Sequence, residues 1–180
     1  MVPYIFSTER LNLRRWIYSD ILPCIEMNED NEVMKFFPKT QTADETLAMV
    51  QRINARFEEN GFGFYVVEEK STKYFLGFTG FGIPTFESFF TPCIEIGWRF
   101  KKDAWGKGYA TEAAAGCLRY GFETLQFDKI VSFTSVLNTN SEKVMQRIGM
   151  IRIGEFDHPL IEPGDSLCRH VLYELVNKKK

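Results

Sequence analysis

Gly106 and Gly108 stand one residue apart, just ahead of a helix-forming run that opens near Ala110, and such a loop can receive phosphate oxygens. The two glycines let the backbone turn tightly and approach a ligand with no Cβ in the way. The first N–H groups of a helix are unpaired and sit at the positive end of its dipole, so an anion is stabilised there. The stretch from Trp98 to Ala113 reads as strand, glycine loop and helix start, the arrangement this receptor requires. It is not a Walker loop, because no Gly-Lys-Ser/Thr follows four spacer residues. It is not a dinucleotide fingerprint either, because the third glycine is missing. Lys107 either adds a charge toward the phosphates or is a solvated lysine at a loop tip.

The elements around this loop follow from hydrophobic periodicity. Alternation predicts a first strand over 11–16. Asp20 is placed to cap a helix running to Asn28, with Pro23 in its first turn. Residues 31–38, with Val33, Met34, Phe36 and Phe37, read as a short helical turn closing over a site. Thr42 to Glu45 forms a capping box. The helix it opens carries Leu47, Val50, Ile53 and Phe57 on one face and stops at Gly61. Strands follow over 62–69, 74–83 and 93–100, the last feeding the glycine loop. A helix over 110–124, a fifth strand over 130–136 and a short helix over 141–148 come next. Strands over 150–156 and 167–176 complete the chain.

The glycine loop, the strand Ile94 to Trp98 before it and the segment Asn138 to Ser141 after the next strand together resemble the GCN5-related N-acetyltransferase (GNAT) family. The resemblance is strongest to the branch of ribosomal-protein alanine acetyltransferases, and it covers Thr8 to Tyr173. The family's pyrophosphate loop, Gln/Arg-x-x-Gly-x-Gly/Ala, corresponds here to Trp105 to Ala110, with Trp105 departing from the usual Gln or Arg. The resemblance implies one α/β (α+β) domain over 1–180. Its mixed, mostly antiparallel seven-stranded sheet would be flanked by about four helices. Acetyl-CoA would lie in a V-shaped opening between the fourth and fifth strands. The implied cofactor-binding residues are Trp98, Phe100, Trp105, Gly106, Lys107, Gly108, Tyr109, Ala110, Thr111 and Asn138.

Acetyl transfer from a thioester to an amine requires a held cofactor, a neutral amine, a stabilised oxyanion and a protonated leaving thiolate. In the family the pantetheine arm lies along the fourth strand, and unpaired N–H groups there face the thioester carbonyl. Asn138 hydrogen-bonds that arm in relatives; it can equally serve a turn or cap the next helix. Many relatives carry a Tyr as thiolate acid where this chain has Met145. The alanine-acetyltransferase branch uses a Ser that Ser141 matches; here that hydroxyl is either acid or helix cap. Glu95, on the opposite face of its strand from Ile94 and Ile96, is the first candidate for general base. Glu155, Asp157, His158 and Glu162 are alternatives, and His170 reads as structural. Among Phe36, Phe37, Phe62, Phe64, Phe86, Phe89 and Phe90, the 84–92 loop group either lines the acceptor site or meets a second subunit.

Composition narrows the rest. The 180 residues are 44% hydrophobic with 17 phenylalanines, enough for one aromatic-rich core. A net charge of −2 with no basic stripe argues against sequence-independent nucleic-acid binding. Lys178, Lys179 and Lys180 read as a frayed tail. Cys24, Cys93, Cys117 and Cys168 have no metal-ligand spacing and fit free thiols in a reducing cytosol. No signal-peptide pattern or membrane-spanning run is found, so a cytoplasmic protein with no metal and no membrane partner is expected. The expected activity is acetyl-CoA-dependent transfer to a primary amine, on a small molecule or a peptide. Ribosomal-protein N-terminal alanine acetylation is the alternative acceptor reading. A non-catalytic acetyl-CoA sensor or interaction module is the alternative of another class, and a homodimer is a further expectation.

Overall fold

Period-two alternation turns short apolar runs into strands, and the sheet grows from them. The computed structural model describes residues 3–178; Met1, Val2, Lys179 and Lys180 lie outside the described residues, so the expected tail is described only at Lys178. One sheet contains β1 (Tyr4–Ser7), β2 (Leu11–Arg14), β3 (Phe64–Glu69), β4 (Phe75–Gly82), β5 (Glu95–Phe100), β6 (Lys129–Ser135), β7 (Ile151–Asp157) and β8 (Arg169–Val176). The strand order is β1-β2-β3-β4-β5-β6-β8-β7. Every neighbouring pair is antiparallel except β5 with β6. Eight strands replace the expected seven. The addition is β1, whose four residues are too short to display a period but pair with β2. The fourth and fifth strands of the sequence reading are β5 and β6.

Four α-helices flank the sheet: α1 (Ile21–Glu29), α2 (Ala43–Asn60), α3 (Tyr109–Glu123) and α4 (Thr139–Arg147). The Thr42–Glu45 capping box forms, and Gly61 closes α2 at φ 75°. Asp20 does not cap α1. Its carboxylate instead receives Arg14 Nη1 at 2.7 Å and Nη2 at 2.8 Å, while Arg14 Nε reaches Glu68 at 3.1 Å. A buried guanidinium requires anions close by, and this need outranks a surface cap. Residues 31–38 form turns rather than helix. The Asp30 side chain accepts the N–H groups of Glu32 and Val33, which competes with helical pairing.

The two sheet faces carry different layers. Ile96 and Phe100 of β5 pack with Ala113, Cys117 and Leu118 of α3 and Met145 of α4. On the opposite face, α1 and α2 cover Val66, Phe75 and Phe78. Farther along that face the 84–92 loop folds Phe86 and Phe90 onto Val131 and Phe156. Between these two covers, β5 presents Glu95, Gly97 and Arg99, all half-buried, along the floor of a trough.

Candidate active site

β5 and β6 run parallel but diverge. Their register holds only at Glu95 with Val131, where Val131 N–H reaches Ile94 C=O at 2.8 Å. Ser132 Oγ then donates to Ile96 C=O at 2.9 Å. In an antiparallel ladder alternate residues bond the same neighbour. Lys101 N–H bonds Leu76 at the end of the β4 side, so Ile96, Trp98 and Phe100 turn their backbone groups toward β6. Ile96 C=O is taken by Ser132 and Phe100 C=O by the Trp105 indole at 3.0 Å. The backbone of Trp98 thus faces the widening gap, the V-shaped opening expected between these strands.

At the mouth of the gap, Gly106 and Gly108 adopt φ 74° and 79°. Gly108 is the N-cap of α3, and no side chain caps that helix. The first intrahelical bond runs from Glu112 N–H to Gly108 C=O at 3.0 Å, so the N–H groups of Tyr109, Ala110 and Thr111 precede the ladder. α2 and α4 use Thr42 and Asn138 side chains at the same place. A Cβ at Gly106 would meet nothing within 4 Å. Open space, glycine backbone and unspent donors fit a pyrophosphate. Lys107 is exposed at the tip.

Two of the expected cofactor residues contribute differently than their side chains suggest. The Phe100 ring is buried in the core, leaving only its backbone at the gap. The Tyr109 hydroxyl bonds the Glu69 carboxylate, which raises the phenol's pKa. Trp105, in place of the family's Gln or Arg, ties the loop back to β5 through its indole N–H.

The loop is also held from the far end of the chain. Arg10 Nη1 donates to Lys107 C=O at 3.0 Å, Arg10 Nε reaches Glu112 at 2.6 Å, and the guanidinium lies 4.7 Å from the Tyr109 ring centroid. Glu112 also accepts from Thr8 Oγ1 at 2.6 Å. Burial works to raise the Glu112 pKa, but the Thr8 and Arg10 donors outweigh it and hold it below the usual range. Sequence reading singled out neither Arg10 nor Glu112 for this clamp, because its partners lie about a hundred residues apart.

Past the gap, Asn138 Oδ1 accepts Ser141 N–H at 3.2 Å and caps α4, while its Nδ2 donates to Thr134 Oγ1 at 3.1 Å. Ser141 therefore lies inside the first turn and is not the cap. Its Oγ accepts the Trp98 indole N–H at 3.3 Å. Met145 is 1% exposed and packs in the core.

Glu95 occupies the other face. A Cβ at Gly97 would stand 3.3 Å from the Phe64 ring and 3.7 Å from Glu95 Oε1, so the missing side chain lets Phe64 and the carboxyl share the trough floor. Burial pushes the Glu95 pKa up to about 8. The alternative bases lie elsewhere. Glu155 pairs with Arg152 and Arg169 on β7, the edge strand, and is held below the usual range mainly by Arg169. Asp157 pairs with Arg169 as well. Glu162 is exposed in the loop before β8. The His158 and His170 rings lie 5.0 Å apart, tilted by 45°, beside Phe133. Burial, then the neighbouring His170, lowers the His158 pKa to about 4, and burial lowers that of His170. Both rings are neutral at pH 7.

No helix among the described residues is long and apolar enough to cross a membrane, and no group of three or more His, Cys, Asp or Glu there could hold a metal ion. Residues 10–151 match the sequence profile described as "Acetyltransferase (GNAT) domain". The chain is 31% identical over 153 residues to the "Uncharacterized N-acetyltransferase YnaD" of Bacillus subtilis (strain 168), covering 83% of this chain and 84% of that protein. A crystal structure of a GNAT-family acetyltransferase from Bacillus anthracis superposes with TM-score 0.78 at 29% identity, over 95% of this chain and 97% of that one. The fold also matches a spermidine N-acetyltransferase from Vibrio cholerae, solved with CoA and spermine, with TM-score 0.74 at 20% identity over 94% and 97% of the two chains.

Proposed function

The chain belongs to the GNAT acetyltransferase family, and on that premise we propose that it moves an acetyl group from acetyl-CoA directly to a primary amine through a tetrahedral intermediate. The observation that carries this reading is the opening between β5 and β6, with Glu95 on one face of the sheet and the Trp98–Ser141 pair on the other. Such a gap admits a thioester from the glycine-loop side and an amine from the trough side.

The residues then divide the chemistry. Gly106 to Thr111 bind the pyrophosphate through backbone donors, Lys107 adds charge, and Asn138 borders the pantetheine path. Ionised Glu95 takes a proton from the amine, directly or through water, and the nitrogen attacks the thioester carbon. The N–H of Trp98 faces the oxygen that gains charge; one such donor contributes on the order of a hundredfold to a thousandfold in rate. As the C–S bond breaks, Ser141 passes its hydroxyl proton to sulfur and regains one from water. Acetyl-CoA supplies the activated acyl group. CoA and spermine bound to the Vibrio cholerae relative support an amine acceptor for this fold. A single domain over 1–180 and a cytoplasmic location belong to the same reading.

The test measures free thiol release from acetyl-CoA across a panel of primary amines. Amine-dependent release supports the reading. Acetyl-CoA binding without release from any amine would instead make the chain a sensor or interaction module.

A further inference from the structure

Arg99 shares the β5 face of Glu95 and Gly97, yet the acetyl-transfer steps give it no task. Its guanidinium is packed between aromatic rings, 4.2 Å from the centroid of Phe37 and 5.4 Å from that of Phe78. Nη1 donates to Asn28 Oδ1 at 2.7 Å. That acceptor is itself locked: Asn28 is fully buried, and its Nδ2 donates to Gln41 at 3.0 Å and Thr46 at 3.1 Å. Nε is buried with no hydrogen-bond partner. Among the described residues Arg99 forms no ion pair, whereas the other buried guanidinium, Arg14, has two carboxylates. Burial lowers the Arg99 pKa to about 10, and the group stays charged at pH 7.

A desolvated cation without an anion is costly, and a fold that retains one has left the counter-charge to be supplied. With Nη1 fixed by Asn28, the remaining Nε and Nη2 edge is the side-on fork that matches a carboxylate. The residue as a whole is only half-buried. Phe37, exposed at 37%, is shared with a cleft of about 340 Å³ lined by Met34, Gln41 and Arg52. Glu95 and Arg99 are four residues apart on one strand, so their Cα atoms are roughly 13 Å apart. We infer that Arg99 is a specificity-determining residue that binds a carboxylate on the acceptor, so the substrate is a small primary amine bearing a carboxylate about 10 Å from its nitrogen. The inference rests on the acetyl-transfer reading of the same trough.

The experiment compares 8-aminooctanoate, 8-aminooctanamide and 1,8-diaminooctane as acceptors by thiol release, because the remote group leaves the amine's basicity nearly unchanged. The expected result is a kcat/KM for the carboxylate at least about tenfold above both others, chiefly through KM, the scale of one charge-assisted bond. Arg99→Gln should bring the three values together with acetyl-CoA affinity unchanged, and Arg99→Lys should restore only part of the preference. The wild-type comparison stands even if neither variant folds. Equal kcat/KM for carboxylate and amide, or preference for the diamine, overturns the inference while leaving acetyl transfer intact. Release from no amine at all overturns both.

Discussion

The Trp98 indole N–H of β5 donates to the Ser141 hydroxyl of α4, at 3.3 Å. By accepting there, Ser141 turns its own proton away from Trp98. Asn138 caps α4, so Ser141→Ala removes no cap and should change stability by less than the roughly 1 kcal/mol of a lost cap. Turnover should fall at least tenfold, about 1.4 kcal/mol on the barrier, with acetyl-CoA binding retained. Steady-state release of CoA measures it; full activity in the variant removes the acid role.

Met145 is the position where many relatives place a tyrosine acid. Because it is buried among core residues, Met145→Tyr should overpack the core and cost about 1–3 kcal/mol. It should not rescue Ser141→Ala. Urea denaturation together with activity of the double variant decides this, and recovered turnover would show that the side chain reaches the gap.

Glu95→Gln should lower turnover by on the order of a hundredfold to ten-thousandfold, with little change in acetyl-CoA affinity. The defect should shrink as pH rises and free amine accumulates. Stability supplies a second readout. The folded-state pKa of about 8 lies above the ordinary 4.5, so the folded chain binds the extra proton between those values. Wild-type stability therefore falls as pH rises through that window. Glu95→Gln removes the dependence and should be the more stable protein at pH 8.5 by on the order of a few kcal/mol. Matching pH–stability curves for the two proteins would contradict the buried carboxyl.

Acetyl-CoA at a hundred times its dissociation constant should add about 2.7 kcal/mol of stability, read as a rise in Tm. Gly108→Val should abolish the rise, because φ 79° is strained for a branched residue and its Cβ would stand 3.5 Å from Arg10 Nη2, in the clamp that holds the loop. Arg10→Ala, which frees the Lys107 carbonyl and removes the guanidinium partner of Glu112, should weaken acetyl-CoA binding more than it lowers kcat. Normal binding by both variants would make the loop purely structural.

Arg14 joins Asp20 and Glu68 in the interior, and Arg14→Ala should cost about 3–5 kcal/mol because it strands two buried carboxylates. Burial works to raise the Glu68 pKa, but Arg14, Asn12 and Tyr4 outweigh it and hold it below the ordinary value. That contribution is complete above the unfolded pKa and is lost as pH falls through the folded one. The penalty for Arg14→Ala should accordingly shrink in acid denaturation series.

What was legible in the sequence was local. The glycine loop, the Thr42 capping box and the face of Glu95 each depend on spacing within a few residues. Asp20 misled because an acidic residue before a helix usually caps it, and only the folded chain brings Arg14 to it. Ser141 read as a possible cap because the start of α4 was placed two residues late. The Arg10–Glu112 clamp and the Arg99–Asn28 bond join residues 102 and 71 positions apart, and no local pattern records them. Alternation gave the direction of Glu95, but its depth depends on Phe64 lying over Gly97, a tertiary contact.

Because the β5–β6 register holds at one residue pair, the sheet is two panels, β1 to β5 and β6 with β8 and β7, joined over a short stretch where Val131 N–H meets Ile94 and Ser132 Oγ meets Ile96. A pantetheine-like chain laid in the gap would touch both panels and act as a splint. The amide hydrogens of Phe133 and Ser135, which alternate with those directed at β8 and face the gap, should exchange with solvent faster than those of β4, and slow sharply once the splint is in place. The cosubstrate would then be the ninth ribbon of the sheet, and the rigidity of the enzyme would track how fully it is charged.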